Sequence, residues 1–146
     1  DSDRLSDLSK VIPVTMAGAE GIYSKDAFVD LVKKGSISVI MPDVKHCGGV
    51  SEAFAAGRAS MALGADVSLH SPSGPISQLA SAHVTAAIAG KRPLEHAIGE
   101  TEWRSELLAP AERISNGHFY LPEGSGLGAE LNLDAVRRHG GIIKNL

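Results

Sequence analysis

Apolar and polar positions in this chain follow two rhythms that alternate. Short, mostly apolar runs at Ile12 to Ala17, Ile37 to Met41, Asp66 to Leu69 and Pro93 to Ile98 read as β-strands. Between them lie longer segments whose apolar residues fall three and four apart, the spacing of one helical face. Lys25 to Lys34 is one, with Phe28, Leu31 and Val32 on a common side. Ser51 to Leu63 is Ala-rich and suited to close packing on a sheet, and Ile76 to Ala89 is more apolar still. Gly35, Gly64 and Gly90 stand where each helix should stop. The units recur at about 25 to 29 residues, a strand, turn and helix apiece, which predicts βα units around a parallel sheet.

After Glu100 the rhythm is lost. Trp103 to Leu108, Gly117 to Leu121 and the Gly-rich Pro122 to Gly128 predict a tail folded over a larger body, closed by a short helix at Leu133 to His139. Residues 1–100 are thus expected to form part of a barrel and residues 101–146 a C-terminal tail. Four βα units cannot close an eight-stranded barrel, and half a sheet would expose strand edges and an apolar inner face. The chain is therefore expected to be part of a larger structure, or to associate with a second copy or with the missing half.

Composition narrows the partners. The 146 residues carry a net charge of −3, with 43% hydrophobic and 21% charged residues, which is ordinary for a globular chain. No basic stripe suits a phosphate backbone, so nucleic acid is not an expected partner. No apolar run approaches the roughly 20 residues that span a bilayer, and Asp1-Ser2-Asp3-Arg4 is unlike a secretory signal, so no membrane is expected and the cytoplasm is the default location. Cys47 is the lone cysteine and can form no intramolecular disulfide.

The chemistry concentrates at strand ends. Val39-Ile40-Met41-Pro42-Asp43 leads into Gly48-Gly49, and Val67-Ser68-Leu69 ends on His70. In a parallel α/β barrel the active-site loops begin at the C-terminal ends of the strands. Asp43 and His70 lie one βα unit apart, so neighbouring strands would bring them together as a carboxylate and imidazole pair. Asp43 alone, just after a Pro, is more often a turn or cap residue, and a lone His is more often structural than catalytic; their joint placement at strand ends favours the pair. The Gly pair fits a tight strand-to-helix turn, since no Gly-x-Gly-x-x-Gly occurs. His46 and Cys47 would at most line the pocket.

The order Pro13-Val14 to Ala19-Glu20, Met41-Pro42-Asp43-Val44 with Gly48-Gly49, Val67-Ser68-Leu69-His70 and Leu94-Glu95, with the late Gly126-Leu127-Gly128 turn, resembles the C-terminal half of the barrel in the mandelate racemase branch of the enolase superfamily. The resemblance implies an α/β fold, the C-terminal half of a TIM-type barrel carrying strands five to eight, with an N-terminal capping domain and the first barrel half outside this chain. It further implies Mg²⁺-dependent abstraction of the proton α to a carboxylate, with a hydroxy acid as substrate, most plausibly a sugar acid being dehydrated. Racemisation or epimerisation, or a non-catalytic half-barrel that self-associates, are the alternatives.

By that resemblance Glu20 is the last of three metal carboxylates, although the family has Gly immediately before it and this chain has Ala19. Mg²⁺ is a hard ion and prefers oxygen. Asp43 and His70 correspond to the orienting carboxylate and the catalytic base or acid. The absence of lysine at the Asp43 position argues against the muconate-lactonizing branch. Glu95 corresponds to the acid that hydrogen-bonds the substrate carboxylate as it becomes an enediolate, acting protonated, with Glu100 and Glu102 as nearby alternatives. The loop His70-Ser71-Pro72-Ser73-Gly74-Pro75 is similar to loops of sugar-acid dehydratases, where Pro and Gly fix a rigid turn. The remaining metal ligands would lie upstream of Asp1. A single carboxylate is a poor Mg²⁺ site, so the chain on its own is expected to be inactive.

Overall fold

A leading helix, three βα units and a tail make up the computed structural model, which describes residues 2–140. The elements run α1 (Ser2–Val11), β1 (Ala17–Gly18), α2 (Lys25–Lys33), β2 (Val39–Ile40), α3 (Val50–Ala62), β3 (Asp66–Val67) and α4 (Pro75–Ile88). β1, β2 and β3 form a parallel sheet in that order, with Ala17 opposite Val39 and Val39 opposite Asp66. The ladder outlasts the formal strands. Met41 N–H donates to Gly18 O at 2.8 Å, Ser68 N–H to Ile40 O at 3.1 Å and His70 N–H to Pro42 O at 3.1 Å, which carries the regular backbone up to the residues of interest.

The helices bury the faces that their periodicity marks. Phe28 and Leu31 of α2 are buried, with Ile37, Ile40, Val67 and Leu69 from the strand segments and Ala53, Ala56, Val84 and Ile88 from α3 and α4. Small residues bring α3 against α4. A Cβ on Gly57 would stand 2.4 Å from Ile88 Cδ1, so any larger residue would force the tip of the Ile88 side chain aside. α1 is held at the other end of α2 by hydroxyls. Ser6 Oγ donates to Lys34 O at 2.6 Å and Ser9 Oγ to Gly35 O at 2.7 Å, satisfying carbonyls that a helix end leaves without partners.

Two predicted strands are corrected. The run Ile12 to Ala17 joins the sheet only at its end, through Ala17 and the Met16 carbonyl, which accepts from Val39 N–H at 3.0 Å: Ile12 N–H still bonds Leu8 O of the α1 end, and Pro13, lacking an N–H, stops that helix. Pro93 to Ile98 is not a strand. It lies beside β3 by one long backbone bond, Glu95 N–H to Leu69 O at 3.4 Å, while Pro93 cannot donate and its carbonyl accepts from Ser68 Oγ at 2.8 Å. Helix limits agree with the sequence to within a residue or two. α4 ends on Ala89 at φ 54° rather than at Gly90.

The tail has more structure than its sequence suggested. A short 3₁₀ turn at Arg104–Glu106 precedes β4 (Leu108–Ala109), which pairs antiparallel with β7 (Glu130–Leu131). Between them β5 (Arg113–Ser115) and β6 (His118–Tyr120) form a hairpin. Its turn is Asn116-Gly117, both at positive φ, the chemistry that a two-residue hairpin demands. Asn132 caps α5 (Leu133–Arg138) by accepting from Ala135 N–H at 3.2 Å. Trp103 stacks on His139 at 4.4 Å within the tail, and His83 of α4 bonds Leu127 O at 2.9 Å, which fastens the tail to the sheet-and-helix body. Among the described residues no helix is long and apolar enough to cross a membrane.

Candidate active site

Because β1, β2 and β3 are parallel, the segments that follow them emerge at one end of the sheet. Glu20 lies two residues past β1, Asp43 three past β2 and His70 three past β3, while Glu95 joins from the segment beside β3. The four sequence candidates therefore share one rim, and three of them are linked by hydrogen bonds or a single residue.

Asp43 is the fixed point. Its side chain is fully buried and each carboxylate oxygen has a donor. Lys45 N–H donates to Oδ1 at 2.8 Å, and His70 Nδ1 lies 2.9 Å from Oδ2. A carboxylate can only accept, so Nδ1 carries the proton and Nε2 is the nitrogen left for exchange with a ligand. Burial by itself pushes the Asp43 carboxyl up. The hydrogen bonds from Lys45 N–H and His70, with the nearby charges of Lys45 and His46, outweigh burial and hold it below its ordinary value.

A depressed carboxyl stabilises the fold while it is ionised. That contribution is complete above the unfolded-state value, close to 3.8, and is lost as pH falls through the lower folded-state value. The Asp43→Asn variant lacks it. The gap in melting temperature between the native chain and Asp43→Asn should therefore be widest near neutral pH and narrow in acid below about 4, read by circular dichroism at a series of pH values. A gap that holds constant into acid would show that Asp43 is not the linked group.

Glu95 is placed by the loop that follows His70. Its Oε2 accepts from Ser71 N–H at 3.0 Å, and its backbone carbonyl accepts from Gln78 Nε2 at 3.1 Å. Gln78 in turn takes the Ser71 hydroxyl at 3.1 Å, so a buried Ser71 and Gln78 couple the two segments. Glu100, an alternative to Glu95 in the sequence, is engaged by Arg104 instead.

Glu20 is exposed at the end of β1, its Oε2 3.6 Å from the position a Gly18 Cβ would take. The residue before it, Ala19, has φ 83°, a left-handed backbone that L side chains resist. The position where the resembled family has Gly is thus one whose geometry asks for it. Ala19→Gly should raise stability by about 1 kcal/mol, the relief of that strain less the added freedom of the unfolded chain, as a shift in denaturation midpoint. No gain would mean that the turn relaxes without it.

One carboxylate oxygen donor at this rim fits one corner of a hard-cation site. Among the described residues no three His, Cys, Asp or Glu side chains are placed to hold a metal ion together. Gly48 and Gly49, at φ 117° and 100°, form the tight entry into α3 as expected, with Gly49 at the position before its first turn. Cys47 is fully buried behind the site, and burial pushes its thiol up, away from reactivity.

Two charged residues escaped the sequence reading. Lys45 Nζ lies 3.5 Å from Asp43 Oδ2 and hydrogen-bonds Ser73 Oγ. Arg104, from the tail, donates through Nη1 to Ser73 O at 2.7 Å and grips Glu112 with Nε and Nη2 at 2.8 and 3.1 Å. No local motif marks either. The position of Lys45 two residues past the candidate Asp was the available signal.

Comparison with known proteins places this arrangement. Residues 1–135 match the family described as enolase C-terminal domain-like. The chain is 32% identical over 139 residues to a D-xylonate dehydratase of Haloferax volcanii, covering 95% of this chain and 33% of the relative. It is 38% identical over 131 residues to a D-galactonate dehydratase of Klebsiella pneumoniae, covering 84% and 34% respectively, and 31% identical over 136 residues to muconate cycloisomerase 1 of Rhodococcus opacus, covering 91% and 36%. Among solved structures, a mandelate racemase/muconate lactonizing enzyme-like protein from Rubrobacter xylanophilus superimposes with a TM-score of 0.88 at 28% identity, over 95% of this chain and 36% of that one. The chain spans about a third of the length of these relatives. Its α/β units correspond to the C-terminal half of the barrel in those enzymes, and the chain belongs to the enolase C-terminal domain-like family.

Proposed function

We propose that this chain forms the C-terminal portion of a Mg²⁺-dependent enzyme that removes the proton α to a carboxylate and dehydrates a sugar acid. Residues 1–100 then fill the places of strands five to eight of the barrel, the last as an extended segment rather than a strand, and residues 101–146 are the tail that closes on it; Asp1 and residues 141–146 lie outside the described part. The observation that carries the reading is the Asp43 and His70 pair, 2.9 Å apart on adjacent parallel segments at the sheet end where Glu95 and Glu20 also emerge. Dehydratases of D-xylonate and D-galactonate among the relatives favour dehydration over racemisation.

In this reading Asp43, ionised and buried, fixes the ring of His70 and its tautomer. Nε2 of His70 then takes or gives the proton at the reacting carbon or the departing hydroxyl. Glu95, held by Ser71 N–H, presents a carboxyl group to the substrate's own carboxylate. Glu20 would be one oxygen ligand of Mg²⁺, and Mg²⁺, when bound, offsets the negative charge that builds on the substrate carboxylate. Protein segments beyond this chain would supply the other ligands.

The test is turnover of a panel of sugar acids by the complete protein with Mg²⁺ in D₂O. Dehydration of a 2,3-dihydroxy acid yields an enol that ketonises to a 2-keto-3-deoxy acid carrying deuterium at carbon 3. That product is the expected result. Deuterium at carbon 2 of recovered substrate, with no keto acid, would replace dehydration by racemisation or epimerisation.

A further inference from the structure

We propose that Lys45 is a positioning residue of this site: its side chain latches the loop Ser71 to Gly74 to the Asp43 carboxylate and so holds His70 in register with Glu95. The inference rests on the functional reading above for its kinetic part and on geometry alone for its structural part.

Lys45 touches Asp43 twice, through its backbone N–H at Oδ1 and through Nζ, 3.5 Å from Oδ2. Oδ2 is the oxygen that His70 Nδ1 also uses. From there Nζ reaches across 28 residues of sequence to the hydroxyl of Ser73, which is nearly buried. A lysine on a solvated surface gains little from an ion pair. Lys45 is itself 42% exposed, but its partners are not: the carboxylate is fully buried and the hydroxyl nearly so, and the ammonium bridges the end of β2 to the loop beyond β3.

That loop starts with His70 and includes Ser71, whose N–H holds Glu95. It is also pulled from the opposite side, where Arg104 takes the Ser73 carbonyl at 2.7 Å. Ser73 is therefore fastened at both its hydroxyl and its carbonyl, and Lys45 is the fastening that belongs to the barrel. The groups facing the Lys45 ammonium are Asp43 and Ser73, while His46 Nε2 lies 4.0 Å from the same Asp43 oxygen. Rate is sensitive to such fastening, because displacing a reacting group by about 1 Å costs on the order of 100-fold.

The experiment compares Lys45→Met and Lys45→Arg in the complete protein by two readouts. Hydrogen exchange of the Ser71, Ser73 and Gly74 amides needs no substrate. It should quicken several-fold in Lys45→Met and return toward the native rate in Lys45→Arg. In turnover of the sugar acid found by the panel, Lys45→Met should lower kcat roughly 10- to 100-fold with KM within about threefold, and Lys45→Arg should recover most of it. Adding Ser73→Ala to Lys45→Met should cost little more, since both remove the same latch. Unchanged exchange in Lys45→Met overturns the proposal whatever the substrate proves to be. A raised KM with intact kcat also overturns it, making Lys45 a substrate contact. Failure of every sugar acid to react counts against the functional reading, and the exchange result then decides the latch by itself.

Discussion

Replacing His70, in its proposed proton-transfer role, with asparagine in the complete protein is expected to lower kcat by about two to four orders of magnitude, roughly 3 to 5 kcal/mol of activation free energy, with KM little changed. Asparagine is the informative replacement because its side-chain N–H can still reach the Asp43 oxygen that His70 Nδ1 occupies at 2.9 Å. The scaffold contact survives and the exchangeable nitrogen does not. His70 is 23% exposed at the rim, so the fold should lose about 1 kcal/mol or less. Steady-state kinetics of the native and variant enzymes, with melting curves of both, check the two halves of this expectation. Activity within threefold of native would remove His70 from the proton-transfer role and leave the pair as a structural contact.

The second large effect lies in the tail, at an ion pair whose arginine also holds the Ser73 carbonyl. Arg104→Met should destabilise the chain by about 3 to 5 kcal/mol, because it strands Glu112. The two side chains are 12% and 8% exposed and meet through two parallel N–H to oxygen bonds, an arrangement that withholds both charges from water. Methionine fills much of the volume and supplies no charge, so the buried carboxylate has lost its main partner. The Arg104→Met, Glu112→Leu double variant should recover most of the loss, since two well-packed apolar residues replace a buried pair at little cost. Urea denaturation of the three variants against the native protein makes the comparison. A loss below about 1 kcal/mol in the single variant would assign the pair the small value of a solvated one.

What could be read from the residues followed from burial. α2, α3 and α4 pack one face each on a parallel sheet, and that requirement writes the three-and-four spacing of Phe28, Leu31, Ala53, Ala56 and Val84 directly into the chain. Asp43 and His70 were legible for a related reason, since parallel strands deliver their ends to one rim. Pro13 and Pro93 misled because both sit in apolar runs, and hydropathy does not register a missing N–H. The hairpin was overlooked although Asn116-Gly117 carries its turn signal, because the flanking Arg113 to Ser115 is too exposed to alternate. Lys45 and Arg104 act over 28 and 31 residues of separation, and distance of that kind leaves no local pattern.

The double hold on Ser73 has an evolutionary side. The carbonyl answers to the tail and the hydroxyl to the barrel, so substitutions at Glu100, Arg104 or Glu112 can reshape the rim without altering a single reactive group. A lineage drifting toward a new ligand could begin there, in a stretch that surface-based reasoning would treat as neutral. A laboratory library confined to those three codons would sample the same route while the proton-handling pair stays untouched.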